Sequence, residues 1–202
     1  MIADEHGERS PSGMMRSFAL HVIALSICIF ANNFEHSSST STEDETPTLE
    51  DLQQMLSTEE KIWLTMATYD TKPRNCIYWE KNWLNSTDYD FYYGSKVTES
   101  DSNRGVSTGK THKLAKMGYL DEVPYPVMII RGHEEEEEQA KVYLLPYWLE
   151  SEKCFILLNQ DGECEQYTWE SMISKRHECN KVFFDTCGPW NYPVFKPSCL
   201  DS

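Results

Sequence analysis

Residues Cys154–Cys199 read CFILLNQDGECEQYTWESMISKRHECNKVFFDTCGPWNYPVFKPSC and hold five of the chain's seven cysteines. Two short apolar strands come first, Phe155–Leu158 and Gln166–Trp169, separated by the turn Asn159-Gln-Asp-Gly162. The spacing then predicts a helix over Ser174–Thr186, in which Cys179, Phe183 and Cys187 recur with helical period. Gly188-Pro189 stops it, and an extended segment, Tyr192–Phe195, runs on to Cys199. Strand, turn, strand, helix, strand, with cysteines at the seams, describes a disulfide-stapled secreted β protein.

Working outward, the rest of the chain agrees with that class. Its 202 residues suit one domain of ordinary size. Phe18–Phe30 is an apolar run that follows Met14-Met15-Arg16 and ends against Ala31, a small residue. It is too short for a membrane span and reads as a secretory signal peptide, so residues 1–31 leave the mature protein, with translation starting at Met14 or Met15. Cys28 leaves with it. Six cysteines remain, an even number that favours three disulfides in an extracellular protein, although residue types and spacing leave the pairing open. A metal site would need closely spaced ligands such as C-x-x-C, and the sequence has none. Asn85-Ser-Thr87 is a sequon for N-glycosylation. The net charge of −15 argues against nucleic acid and anionic membranes as partners.

Residues 32–47 are Ser-, Thr- and Glu-rich with almost nothing to bury, and read as a disordered leader to a domain over 48–202. Thr48 caps a short helix, with Asp51 at the capping-box position and Leu49, Leu52 and Leu56 on one face. Lys61–Asp70 alternates: Ile62, Leu64 and Met66 on one side, Trp63, Thr65, Ala67 and Tyr69 on the other. Apolar residues on both faces suit a barrel strand with a helix outside and a cavity inside. Arg74-Asn-Cys76 opens a second strand, and Tyr89, Phe91 and Tyr93 share a face of a third. Gly94–Gly118 is polar and predicts one or two edge-like strands; Val127–Arg131 and Val142–Leu149 are clear strands around an acidic hairpin loop, Gly132–Gln139. Many short strands and one late helix indicate a closed antiparallel barrel.

Three features invite chemistry. Gly105-Val-Ser107-Thr-Gly109 matches the G-x-S-x-G nucleophile elbow, but polar flanks replace the buried strand and helix that the elbow requires. The run Glu134–Glu138 lacks the alternating oxygens and glycine bend of a Ca²⁺ loop, and reads as a solvated connection. Aromatic residues make up 12% of the chain; of these, Trp63, Tyr69, Tyr143, Phe155 and Tyr167 are candidates for a cavity wall, and each serves equally as ordinary core.

The Cys154-Phe155-Ile156, Glu165-Gln166-Tyr167, Cys179 and Cys199 series, with Ala67-Thr-Tyr69 and Cys76 upstream, resembles the tick salivary lipocalins of the histamine-binding protein family. The resemblance implies an eight-stranded antiparallel lipocalin (calycin) barrel, with a short N-terminal helix and a C-terminal α-helix packed outside. It implies the disulfides Cys76–Cys199 and Cys154–Cys179, which leaves Cys164 with Cys187. It also implies a binding protein without turnover or cofactor, which holds a biogenic amine such as histamine or serotonin and so suppresses host inflammatory or haemostatic responses.

An ammonium taken out of water needs a carboxylate, with aromatic faces as secondary help. Phe155 stands where the amine-binding relatives carry Asp, and Lys72 falls near a second acidic position in a shortened loop, Asp70-Thr-Lys-Pro73. Glu165, Tyr69 and Tyr167 are retained. The pattern points to a single amine site at Glu165, or to a more apolar, fatty-acid-derived mediator. The competing class is a vestigial cavity on a protein whose surface binds a host protein.

Overall fold

The computed structural model describes residues 46–97, 107–136 and 139–201. The signal-peptide segment, nearly all of the polar leader, and Glu137 and Glu138 lie outside the described residues.

Helix α1, Leu49–Leu56, begins with the expected capping box. The Thr48 hydroxyl accepts from Asp51 N at 3.2 Å, and Thr48 N donates to Asp51 Oδ2 at 2.7 Å. Leu52, Met55 and Leu56 are buried and join the barrel's core cluster, with Tyr89 and Met128. The Trp169 indole N–H donates to Met55 O at 3.0 Å and ties the helix to the last barrel strand.

Eight strands follow: β1 Ile62–Ala67, β2 Arg74–Leu84, β3 Asp88–Val97, β4 Ser107–Gly118, β5 Val127–Gly132, β6 Lys141–Leu149, β7 Cys154–Asn159 and β8 Cys164–Trp169. Each pairs antiparallel with the next, and β1 pairs with both β2 and β8, which closes the barrel. Closure gives every strand of the barrel a partner on both sides over at least part of its length, which limits the free edge open to another chain. The segment Gly94–Gly118 agrees with the sequence reading only in part. Within it β4 pairs with β3 over Ser107–Lys116 but with β5 only over Lys113–Gly118, so its first half is edge-like and its second half is interior to the sheet. It looks polar because Thr111 and Lys113 line the wet end of the cavity, whereas Ala115 and Met117 further along the same face are buried. Ser107 opens this strand and Gly109 lies within it, so the G-x-S-x-G match does not form a strand-to-helix elbow.

Helix α2, His177–Cys187, starts slightly later than the pattern suggested and packs outside β7 and β8. Phe183 is buried against Met66, Ile156 and Cys164. Both carboxylate oxygens of Glu152 accept from the first turn, from Glu178 N at 3.1 Å and Cys179 N at 3.0 Å, an anion at the helix's positive end. Gly188, at φ 85°, ends the helix where a side chain would be strained. The disulfides Cys154–Cys179 and Cys164–Cys187 fasten α2 to the two strands beneath it.

The C-terminal segment fills a seam. β1 pairs with β2 only at Ile62 and Trp63, and beyond that the two strands separate. A two-residue strand, β9 Tyr192–Pro193, pairs with Met66 and Ala67 instead. Val194 N donates to Thr65 O at 3.0 Å while Val194 O accepts from Cys76 N at 3.3 Å, so one residue bridges the gap. The disulfide Cys76–Cys199 locks the segment there. Two of the bonds, Cys76–Cys199 and Cys154–Cys179, are the pairs that the resemblance implied, and Cys164–Cys187 is the pair that these left over.

Thr65 sits at a register shift in β1: Leu64 and Met66 face the adjacent residues Tyr167 and Gln166. This inserts one extra residue, a bulge, and reverses the alternation beyond it. Before it, Ile62 and Leu64 point inward and Trp63 outward; after it, Ala67 points inward and Met66 packs under α2. Trp63 is therefore not part of the cavity wall. It packs outside with Cys76, Cys199 and Phe195, and its indole N–H donates to Glu170 Oε2 at 3.0 Å.

Candidate functional site: a barrel cavity with one buried carboxylate

A cavity of about 590 Å³ opens at the end of the barrel opposite α1. Its wall draws on seven of the eight strands, because inward positions of a closed barrel converge on one axis. The inner part is aromatic and apolar. Trp79 lies 4.3 Å from the Tyr167 ring and 5.1 Å from Phe91, ring centre to ring centre. Arg74, Lys113, Glu135 and Lys141 stand nearer solvent: Arg74 and Lys141 open β2 and β6, Lys113 lies midway along β4, and Glu135 is in the β5–β6 loop.

Glu165 is the chemical centre. It is only 3% exposed, and β8 alternation sets it and Tyr167 on the inner face. Its two carboxylate oxygens accept from two phenols: Oε1 from Tyr69 and Oε2 from Tyr167, the latter at 2.6 Å. Burial pushes the Glu165 carboxyl above the usual carboxylate range, against the opposing pull of the Tyr167 and Tyr69 hydroxyls and of Lys141. Tyr69, Tyr143 and Tyr167 are raised in turn, first by burial and then by the Glu165 charge. Tyr93 is pushed up to about 12 by the same two causes, while Arg74, which donates to its hydroxyl, pulls the other way. The four phenols therefore stay protonated at neutral pH, and two of them, Tyr69 and Tyr167, direct their O–H dipoles at Glu165. Each carboxylate oxygen has a second lone pair, so an ammonium can still bind there.

Of the residues singled out from sequence, Glu165, Tyr167, Tyr69 and Tyr143 come together on the cavity wall. Phe155 is inside the barrel but behind the wall, stacked on Tyr167 at 5.3 Å. The acidic loop is more than a solvated connection. Glu135 lines the cavity mouth, accepts from Gly132 N and pairs with Lys113 at 3.4 Å. The Gly132 N–H above all holds its carboxyl below the usual range. Trp79, Phe91, Tyr93, Arg74 and Lys141 were not named from sequence as wall residues. For Trp79 the signal was present, since it alternates with the outward Cys76 and Tyr78 along β2.

Among the described residues no group of three or more His, Cys, Asp or Glu could hold a metal ion. No helix among them is long and apolar enough to cross a membrane.

The family profile for tick histamine binding protein matches residues 40–201. The chain belongs to that family. Among solved structures, this histamine-binding-family chain resembles Japanin from Rhipicephalus appendiculatus bound to cholesterol, with a TM-score of 0.51 and 10% identity over 71% of this chain and 97% of that one. It also resembles a serotonin complex of AM182, with a TM-score of 0.56 and 12% identity over 79% of this chain and 97% of that one. At these identities the likeness is one of fold, the lipocalin barrel. No curated protein matches the sequence.

Proposed function

We propose that the protein sequesters a small host mediator in its barrel, without turnover, and that the mediator is a biogenic amine held by Glu165. One observation carries the reading: a single carboxylate, 3% exposed, stands in the wall of an aromatic-lined cavity of about 590 Å³. A buried carboxylate costs several kcal/mol unless it is paired, and an ammonium supplies the missing partner. Trp79, Phe91 and Tyr167 offer faces to the ring of histamine or serotonin. Membership of the family, and the serotonin bound to a protein of the same fold, support it.

Native mass spectrometry of the secreted protein, titrated with histamine, serotonin and a leukotriene, tests the proposal. Stoichiometric binding of an amine in preference to the leukotriene is expected. Binding of the leukotriene alone would replace the amine with a lipid mediator, and binding of none would favour a surface that recognises a host protein.

The same reading has the protein extracellular. Three disulfides and the apolar run Phe18–Phe30 ahead of Ala31 support it. It also has Asn85 glycosylated: the sequon lies on an exposed turn between β2 and β3, beside α1 and away from the cavity mouth.

A further inference from the structure

Charge at the cavity mouth says more about the ligand than Glu165 alone. Three acids, Asp70, Glu135 and Glu165, and three bases, Arg74, Lys113 and Lys141, line the cavity. Two of the acids are already occupied: Asp70 pairs with Lys72 at 3.4 Å and Glu135 with Lys113 at 3.4 Å. That leaves Arg74 and Lys141, which form no salt bridge among the described residues, lining the same cavity as Glu165. Arg74 is bonded to Tyr93, and Glu165 feels both Lys141 and the acidic Glu163. A plain monoamine that takes Glu165 brings a third positive charge beside these two cations and offers neither an anionic partner, a repulsion that costs affinity.

We infer that the preferred ligand is an aromatic amine that also carries an anionic group close to its ammonium, as an aromatic α-amino acid does. The ammonium binds Glu165, the ring lies on Trp79 and Tyr167, and the carboxylate turns outward to Arg74 and Lys141. Such a zwitterion leaves the charge balance of the cavity as it was, and answers both halves of it. The inference rests on the proposed role of Glu165 and refines the class of ligand.

The test compares probes that differ by one group. Isothermal titration of the full-length secreted protein at low salt and neutral pH would use tryptamine, L-tryptophan and indole-3-propionate. Tryptophan should bind about tenfold tighter than tryptamine, the scale of two partly exposed ion pairs, and the advantage should shrink in about 0.5 M salt. In Lys141→Gln, and further in Arg74→Gln/Lys141→Gln, the ratio of the two dissociation constants should fall to about one. Tryptamine binding as tightly as tryptophan, while remaining sensitive to Glu165→Gln, would overturn the zwitterion inference and leave the amine reading standing. Insensitivity of both ligands to Glu165→Gln would remove both. Indole-3-propionate binding as tightly as tryptophan would also overturn it, because the ammonium would then contribute nothing.

Discussion

Replacing Glu165 by Gln tests the site with little change of shape. The carboxylate accepts from Tyr69 at one oxygen and from Tyr167 at the other. An amide retains one acceptor and turns two donors toward the second phenol, so one of the two hydrogen bonds is lost unless that hydroxyl rotates to accept. This costs about 1 kcal/mol. Against it, the variant no longer buries a charge. Because burial raises the Glu165 pKa in the folded state, the folded protein holds its proton more tightly than the unfolded chain. That contribution is complete below the ordinary value of 4.5 and is lost as pH rises through the raised folded value. The wild type should therefore lose stability over that rise, and Glu165→Gln should not; near neutral pH the two should differ by no more than about 1 kcal/mol in urea unfolding. Amine affinity should respond quite differently. Loss of one partner of a buried charge pair costs at least about 2 kcal/mol, roughly 30-fold in Kd. In the wild type, amine binding should also weaken as pH falls, at a higher pH than an ordinary carboxylate would give, and this dependence should vanish in the variant. Calorimetric titration with serotonin over a pH series reads both effects. A Gln variant that binds serotonin as tightly as wild type, or a wild type whose affinity is flat down to the ordinary carboxylate pKa, would refute the assignment of Glu165 as counter-ion.

Other outcomes follow from the same geometry. The Cys76–Cys199 bond spans 123 residues, so chain entropy gives it about 5 kcal/mol; Cys76→Ser/Cys199→Ser should lower unfolding free energy by several kcal/mol and free the C-terminal segment, seen as faster amide exchange at Val194. Tyr69, Tyr93, Tyr143 and Tyr167 all have raised folded pKa values, so their contribution to stability is intact below about 10 and is lost above it, for Tyr93 up to about 12. Urea midpoints should be level from neutral pH to about 9 and fall beyond 10, with phenolate absorbance rising together with unfolding. A Cβ on Gly94 would lie 2.2 Å from the Tyr78 ring, which packs on Trp63 at 4.9 Å; Gly94→Val should displace that ring and lower stability by about 1–3 kcal/mol, without changing ligand affinity. Mass analysis of protein secreted from insect cells should show cleavage near Ala31 and a shift on glycan removal that Asn85→Gln abolishes.

What could be read in advance was what local physics decides. The capping box at Thr48, the Asn159–Gly162 turn and the alternation of Glu165 with Tyr167 depend on neighbours within a few residues, and each stands where expected. The cations of the mouth could not be recognised the same way. Arg74, Lys113 and Lys141 look like solvated strand residues until closure of the barrel brings three distant strands around one cavity. Trp63 failed for a deeper reason. Its strand alternates cleanly on paper, yet Thr65 is an extra residue in the register, and the contacts that accompany it come from Val194 and Phe195, whose N–H groups both donate to Thr65 O. Nothing within β1 announces a partner so far along the chain. The consequence reaches the site itself. In an unbroken strand Tyr69 would share the outward face of Trp63 and point away from the cavity; the bulge separates the two, turns Ala67 inward opposite Glu165, and delivers the Tyr69 hydroxyl to the carboxylate. The irregularity that a period-two reading cannot see is therefore the one that completes the pair of phenols on Glu165.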